Sequence, residues 1–202
     1  WASNYDGEDP RLQVYDEYAS AVGWAFDQYS RGRDSTLLTY TNSVRHKLNR
    51  ELRTKLGRTG KVCAGDRLLV RVNNRDIGLM NGEVVTVESV DPFPSDVCDE
   101  SVYITTVEGP AFALNLMHLN GDKSAYIEWK SRFARRDPEW VHCDHGYALT
   151  IHASQGSEWQ NVAVILDRPL VDVAKRDADE GRRMVYTAVT RAAENLVMVR
   201  MY

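Results

Sequence analysis

Between the apolar segments "YALTI" and "NVAVILD" the chain places Thr150, His152, Ser154, Gln155, Gly156, Ser157 and Glu158 in nine residues. A loop needs only turn residues, so this concentration of hydroxyl, amide and imidazole groups raises a question of chemistry. Short polar side chains, a glycine that admits close backbone approach, and free N–H groups of a following turn suit a phosphate. Ser, Gly and Gln also fill ordinary loops, so the run by itself leaves that reading open. Arg191, in "YTAVTRAAENLVMV", is the second candidate. It ends a helical stretch just before an apolar strand, and a permanent cation there could stabilise charge on a transferring phosphoryl group. Read alone, Arg191 could equally be a surface ion-pair residue.

The flanking elements should form an open parallel sheet, because "YALTI", "NVAVILD" and "NLVMVRM" are near-continuous apolar runs of the kind that strands buried on both faces require. Ligands of such sheets gather beyond the carboxyl ends of the strands. Residues 150–158 are expected there, with Arg191 on the same rim facing a common anion. Upstream, residues 11–30 carry Val14, Tyr18, Ala21, Val22, Ala25, Phe26 and Tyr29 at helical spacing. "STLLTYT" reads as a strand, followed by a helix capped by Asn42 or Ser43 with the stripe Val44, Leu48, Leu52 and Leu56. Arg45, Asn49 and Arg53 then fall on a neighbouring, exposed face, for which simple solvation is the alternative to a binding role.

The texture changes after Lys61. "GDRLLVRV", "GEVVTVESV", "SVYITTVEG" and "AFALNLMHL" are four short strand-like runs, with Asn81-Gly82 a tight-turn signal. They predict a small antiparallel barrel, and "KSAYIEWKSRFARRDPEW" then reads as a helix. A helix is also expected over "DEGRRMVYTAVTRAAE", with residues 175–183 as an exposed loop. The fold class is therefore α/β. Residues 1–62 and 143–202 make one sheet domain and residues 63–142 a barrel inserted into it.

Bulk properties narrow the options. The 202 residues, 43% hydrophobic with five tryptophans, can bury a core. No run is long and apolar enough for a membrane span, and the start lacks a signal-peptide pattern, so a cytoplasmic protein with no membrane partner is expected. Cys63, Cys98 and Cys143 are odd in number and lack CxxC spacing, which fits reduced thiols. The net charge of −4 argues against nucleic-acid binding by bulk electrostatics. One segment stands apart: Arg45, Lys47, Arg50, Arg53, Lys55, Arg58 and Lys61 against Glu51 form a local basic patch.

Taken jointly, "YALTIHASQGSEWQNVAVIL" followed by "VYTAVTRAAENLVMV" resembles motifs V and VI of superfamily 1 helicases. "TLLTYTNSVRHKLNRELR" resembles their motif IV, and "GDRLLVRVNNRDIGLMNGEVVTV" the intervening segment of the RecD and Dda branch, which moves 5′ to 3′ on DNA. These stretches cover about half the chain, in the family's order. The resemblance implies a second RecA-like motor domain interrupted by a small SH3-like β-barrel. It implies that Thr150 and His152 hold the DNA strand, that Gln155 links strand to nucleotide, and that Gly156 and Glu158 lie at the nucleotide. Arg191 matches the finger on the γ-phosphate, with Tyr186 and Thr190 around it. Thr41 and Asn42 match residues near the DNA backbone, and Asn49 is a further member. Ala153 stands where this branch commonly has Lys, which removes a cationic strand contact. No Arg stands just before Thr41 and Asn42, so a second arginine on the γ-phosphate is not expected.

The implied cofactors are ATP and Mg²⁺; the implied partners are single-stranded DNA and an N-terminal motor domain of the same protein. That domain is needed because "GRTGKV" fails the P-loop spacing and neither "CDES" nor "DADE" sits on an apolar strand that could aim a carboxylate at Mg²⁺. The chain alone is expected to be inactive as an ATPase. "HCDH", His142 to His145, invites a metal, but consecutive strand residues point to opposite faces and at most two could meet one ion. No metal site is expected. Trp159 reads as core, whereas Trp129 and Trp140 are open between core and base stacking. Two rival functions remain: a non-hydrolysing binding module derived from a helicase, and an RNA-directed motor of the same superfamily.

Overall fold

The computed structural model describes residues 9–93, 100–120, 124, 127–128, 131 and 140–201. In chain order the first elements are β1 (Leu12–Tyr15), α1 (Tyr18–Ser30), β2 (Ser35–Thr39) and α2 (Asn42–Lys55). Five strands follow: β3 (Arg67–Val70), β4 (Val84–Pro92), β5 (Ser101–Thr106), β6 (Ala111–Asn115) and β7 (Cys143–His145). The last are β8 (Ala148–Thr150), β9 (Trp159–Leu166), α3 (Arg168–Arg176), α4 (Ala178–Val189) and β10 (Ala192–Arg200). They divide into two compact units, Trp1–Leu56 with Tyr147–Tyr202, and Gly57–Gly146.

The first unit is a five-stranded sheet in the order β1-β10-β9-β2-β8 with every neighbouring pair parallel. The inner stretches of β2, β9 and β10 are mostly apolar because both faces are covered there. Leu37, Ala163, Ile165, Val197 and Val199 pack against Ala21, Val22 and Ala25 of α1 and Leu48 and Leu52 of α2. The alternate residues Leu38, Val162, Val164 and Met198 are equally buried and point to the other face, where α4 packs on β9 and β10. Burying a leucine side chain is worth roughly 1.5–3 kcal/mol, so Leu48 and Leu52 alone hold α2 firmly on its face.

Three local expectations are corrected here. Residues 11–30 are not one helix: Leu12–Tyr15 extends as β1 beside β10, and α1 starts at Tyr18. Backbone pairing with an exposed sheet edge outweighs helix spacing for those four residues. The stretch 175–183 is not a loop but the junction of two helices, because Asp177 accepts from the N–H groups of Asp179 and Glu180 and so caps α4. Gly181 makes that junction tight, since a Cβ there would lie 2.4 Å from Ala174 Cβ. The cap of α2 is Thr41, not Asn42 or Ser43: its hydroxyl accepts from the Val44 N–H at 3.4 Å.

The second unit is a five-stranded antiparallel sheet in the order β6-β5-β4-β3-β7. Ala113 of β6 also bridges to Trp140, just ahead of β7, with the Val141 N–H donating to Ala113 O at 3.0 Å. Its core holds Leu68, Val70, Val85, Ile104, Phe112 and Val141. The helix expected over residues 123–140 lies, apart from Ser124, Ile127, Glu128, Ser131 and Trp140, outside the described residues. No helix among the described residues is long and apolar enough to cross a membrane.

Candidate functional site

The candidate residues lie on two edges of the first unit's sheet, not on one. Strands β8 and β9 are parallel, so residues 151–158, which join them, must leave the carboxyl edge and arrive at the amino edge. Thr150 is level with Thr39, Asn161 is level with Ser35, and Ala192, next to Arg191, is paired with Trp159. Thr150 and Arg191 are thus separated along the strands by roughly 23 Å at 3.3 Å per residue. The expectation that the whole turn and Arg191 share one rim is corrected: strand direction splits the constellation, and only the end of the turn meets Arg191.

On the carboxyl edge, the backbone at 150–154 forms one helical turn. The Ser154 N–H donates to Thr150 O at 3.1 Å, and the Ala153 N–H donates to Thr150 Oγ1 at 3.2 Å. Ser154 is fully buried and donates to Ile151 O, so its hydroxyl shapes the turn. His152 is exposed, its ring 6.2 Å from that of Tyr40. Beside them lie half-buried Thr41 and exposed Asn42, the first residue of α2. The Thr39 and Thr41 hydroxyls both donate to Asp167 Oδ2, at 3.0 and 3.1 Å. Tyr40 and Asp167 escaped the sequence reading. The available signal for Asp167 was a carboxylate closing an apolar strand directly before Arg168-Pro169, a helix-capping pattern.

On the amino edge, the Arg191 guanidinium donates to Ser157 O at 2.9 Å, Thr187 O at 3.1 Å and Thr190 Oγ1 at 3.2 Å. These partners are neutral, and among the described residues no carboxylate pairs with Arg191, so its charge stays available to an anion. The Trp159 N–H donates to Arg191 O, which ties the turn's end to the arginine. Glu158 is exposed here, and Gly156 holds a φ of +86° with open space where a Cβ would be. Glycine is therefore required by conformation and not by crowding. Gln155, also exposed, lies between the two edges. Tyr186 is 70% exposed, and its carbonyl accepts from the Thr190 hydroxyl.

Two candidate features dissolve. Asn49, expected on an exposed face, is 2% exposed. Its Oδ1 accepts from the N–H groups of Tyr147 and Ala148, and its Nδ2 donates to Ala148 O. The amide is thus engaged with the backbone of Tyr147 and Ala148, where β8 begins. Arg45 is likewise only 3% exposed. The basic patch is mostly occupied: Lys47 and Lys55 lie over the rings of Tyr18 and Phe26, and Lys61 pairs with Glu100. Trp159 and Trp140 are both buried; Trp129 lies outside the described residues.

In the second unit, His142, Cys143 and Asp144 are buried. Burial pushes the His142 pKa down to about 4 and the Cys143 thiol up. Among the described residues no three His, Cys, Asp or Glu side chains converge as metal ligands.

Residues 145–199 match the family profile of the UvrD-like helicase C-terminal domain. An uncharacterized protein of Methanocaldococcus jannaschii is 39% identical over 56 residues, 28% of this chain and 4% of that protein. The Bacteroides Pif1 helicase crystallised with ADP-AlF3 and ssDNA superposes with a TM-score of 0.51 at 14% identity, over 90% of this chain and 45% of its own. Bacteroides Pif1 bound to ssDNA gives a TM-score of 0.47 at 14% identity, over 91% and 49%. The chain thus spans about half the length of the Pif1 chains it matches. Residues 145–199 are thus similar to the UvrD-like helicase C-terminal domain, and the chain shares a mixed α/β fold with the Bacteroides Pif1 helicase.

Proposed function

We propose that this chain is the second motor domain of an ATP-dependent DNA helicase of the RecD and Dda type, moving 5′ to 3′ on single-stranded DNA. The observation that carries the reading is the turn at 150–158. One short connection begins among strand-facing candidates at the carboxyl edge and ends in contact with Arg191 at the amino edge. A segment so placed transmits a change at a nucleotide to a change at a nucleic-acid strand.

On the strand side, Thr150, His152, Thr41 and Asn42 line the edge. The first-turn N–H groups of α2 at Asn42 and Ser43 have no intrahelical acceptor, and such groups favour a phosphate oxygen. Asn49 is withdrawn from this set and holds β8 in place. On the nucleotide side, Arg191 is the arginine finger, with Gly156, Glu158 and Gln155 at the nucleotide. ATP and Mg²⁺ would be held chiefly by an N-terminal motor domain carrying the P-loop and the metal carboxylates, so this chain alone does not hydrolyse ATP. Support comes from the Pif1 crystal that holds a nucleotide analogue and ssDNA on the same fold. The second unit is read as an SH3-like barrel, supported by the bridge from Ala113 to Trp140, which joins the two ends of its strand order.

The test uses the intact enzyme. Arg191→Ala should lower strand-stimulated hydrolysis by about 10³-fold or more, as loss of an arginine finger does, while ssDNA affinity stays near wild type. Loss of binding with normal turnover would contradict the assignment. Stronger stimulation by single-stranded RNA than by DNA would favour an RNA motor.

A further inference from the structure

We infer that Asp167 is the positioning residue of the strand-binding edge, a role that rests on the strand-binding reading given above. Asp167 closes β9 and is 1% exposed. Its Oδ2 accepts from the Thr39 hydroxyl, the Thr41 hydroxyl and the Thr41 N–H at 3.0, 3.1 and 3.3 Å. Its Oδ1 accepts from the Leu170 N–H at 3.2 Å, which caps α3. Among the described residues no cation pairs with it, so four neutral donors replace the water that a buried carboxylate has lost.

This arrangement fixes α2 through a single atom. The Thr41 hydroxyl has one hydrogen, and Asp167 takes it. A lone pair of that hydroxyl is thereby turned to the Val44 N–H, the cap that starts α2. The Thr41 N–H is held by the same carboxylate oxygen. The onset of α2, and with it the first-turn N–H groups of Asn42 and Ser43 that have no intrahelical acceptor, is locked to the end of β9. Thr41 consequently acts on the DNA backbone through the helix it starts, not by donating its own hydroxyl. Asp167 itself is buried, out of reach of a bound DNA strand; it sets where the phosphate-binding N–H groups stand.

In the full-length enzyme, Asp167→Asn removes one of the two acceptor oxygens and puts a donor in its place. The concentration of oligo(dT) giving half-maximal ATPase should rise about tenfold, with kcat at saturating oligo(dT) within about twofold. Thr41→Val, which deletes the hydroxyl and keeps the volume, should give the same split, and the double variant should be no worse than the poorer single one. A half-saturating concentration unchanged in Thr41→Val overturns the inference, as does kcat falling in step with affinity in both variants. Should Asp167→Asn fail to fold, Thr39→Val and Thr41→Val carry the comparison, with the larger shift expected for Thr41. A wild-type enzyme whose ATPase ignores oligo(dT) would instead refute the strand-binding reading itself.

Discussion

Asn49→Ala is the substitution that best separates a structural from a nucleic-acid role at the buried end of α2. β8 is the outermost strand of its sheet, so its outer row of backbone groups lacks a neighbouring strand. The Asn49 amide stands in for one, with bonds of 3.0 and 2.8 Å from the Tyr147 and Ala148 N–H groups and 3.1 Å to Ala148 O. Alanine leaves two donors and one acceptor unmade in a site 2% exposed. Each net hydrogen bond is worth about 1 kcal/mol, and an orphaned buried group costs about 1–3 kcal/mol. Partial access of water to an edge strand favours the lower end, so a loss of about 3 kcal/mol is expected. Urea unfolding of the 202-residue chain, followed by circular dichroism, would read it as a lower midpoint at similar slope. In the intact enzyme, ssDNA affinity per folded molecule and its dependence on salt should not change. Stability within about 0.5 kcal/mol of wild type, joined to a shallower salt slope, would refute this reasoning and return Asn49 to the strand.

Two further outcomes follow from the packing. The His142 pKa lies near 4 in the folded chain, below the ordinary value of 6.5, because burial disfavours the imidazolium. Between those values the unfolded chain binds more protons, so stability is complete above about pH 6.5 and falls as the pH drops toward 4, by on the order of 2–3 kcal/mol. His142→Gln should flatten that dependence in pH-resolved thermal melts. Gly181→Ala places a methyl 2.4 Å from Ala174 Cβ and 2.6 Å from its Cα, backbone that cannot step aside. Separating α3 from α4 should cost about 1–3 kcal/mol against a helix-propensity gain near 1 kcal/mol, visible as a lower Tm. An unchanged or raised Tm would show that the two helices slide freely.

The sequence by itself determined the parallel strands and the chemical character of residues 150–158. Both follow from local composition: a strand buried on two faces is dominated by apolar residues, and hydroxyl, amide and imidazole groups clustered between two such strands are more than a turn requires. Burial around the helices was less legible. Arg45 and Asn49 sit about 100° round α2 from Val44 and Leu48, and that interval is covered or open depending on what packs there. The partner of Asn49 is a peptide 98 residues away, on a strand whose edge position no local pattern encodes. The same holds for the two-edged site. Composition grouped Thr150 and Arg191, but the side of the sheet each occupies is a matter of strand direction. Only the tertiary pairing of β8, β2, β9 and β10 fixed that, because a connection between parallel strands must cross from one edge to the other.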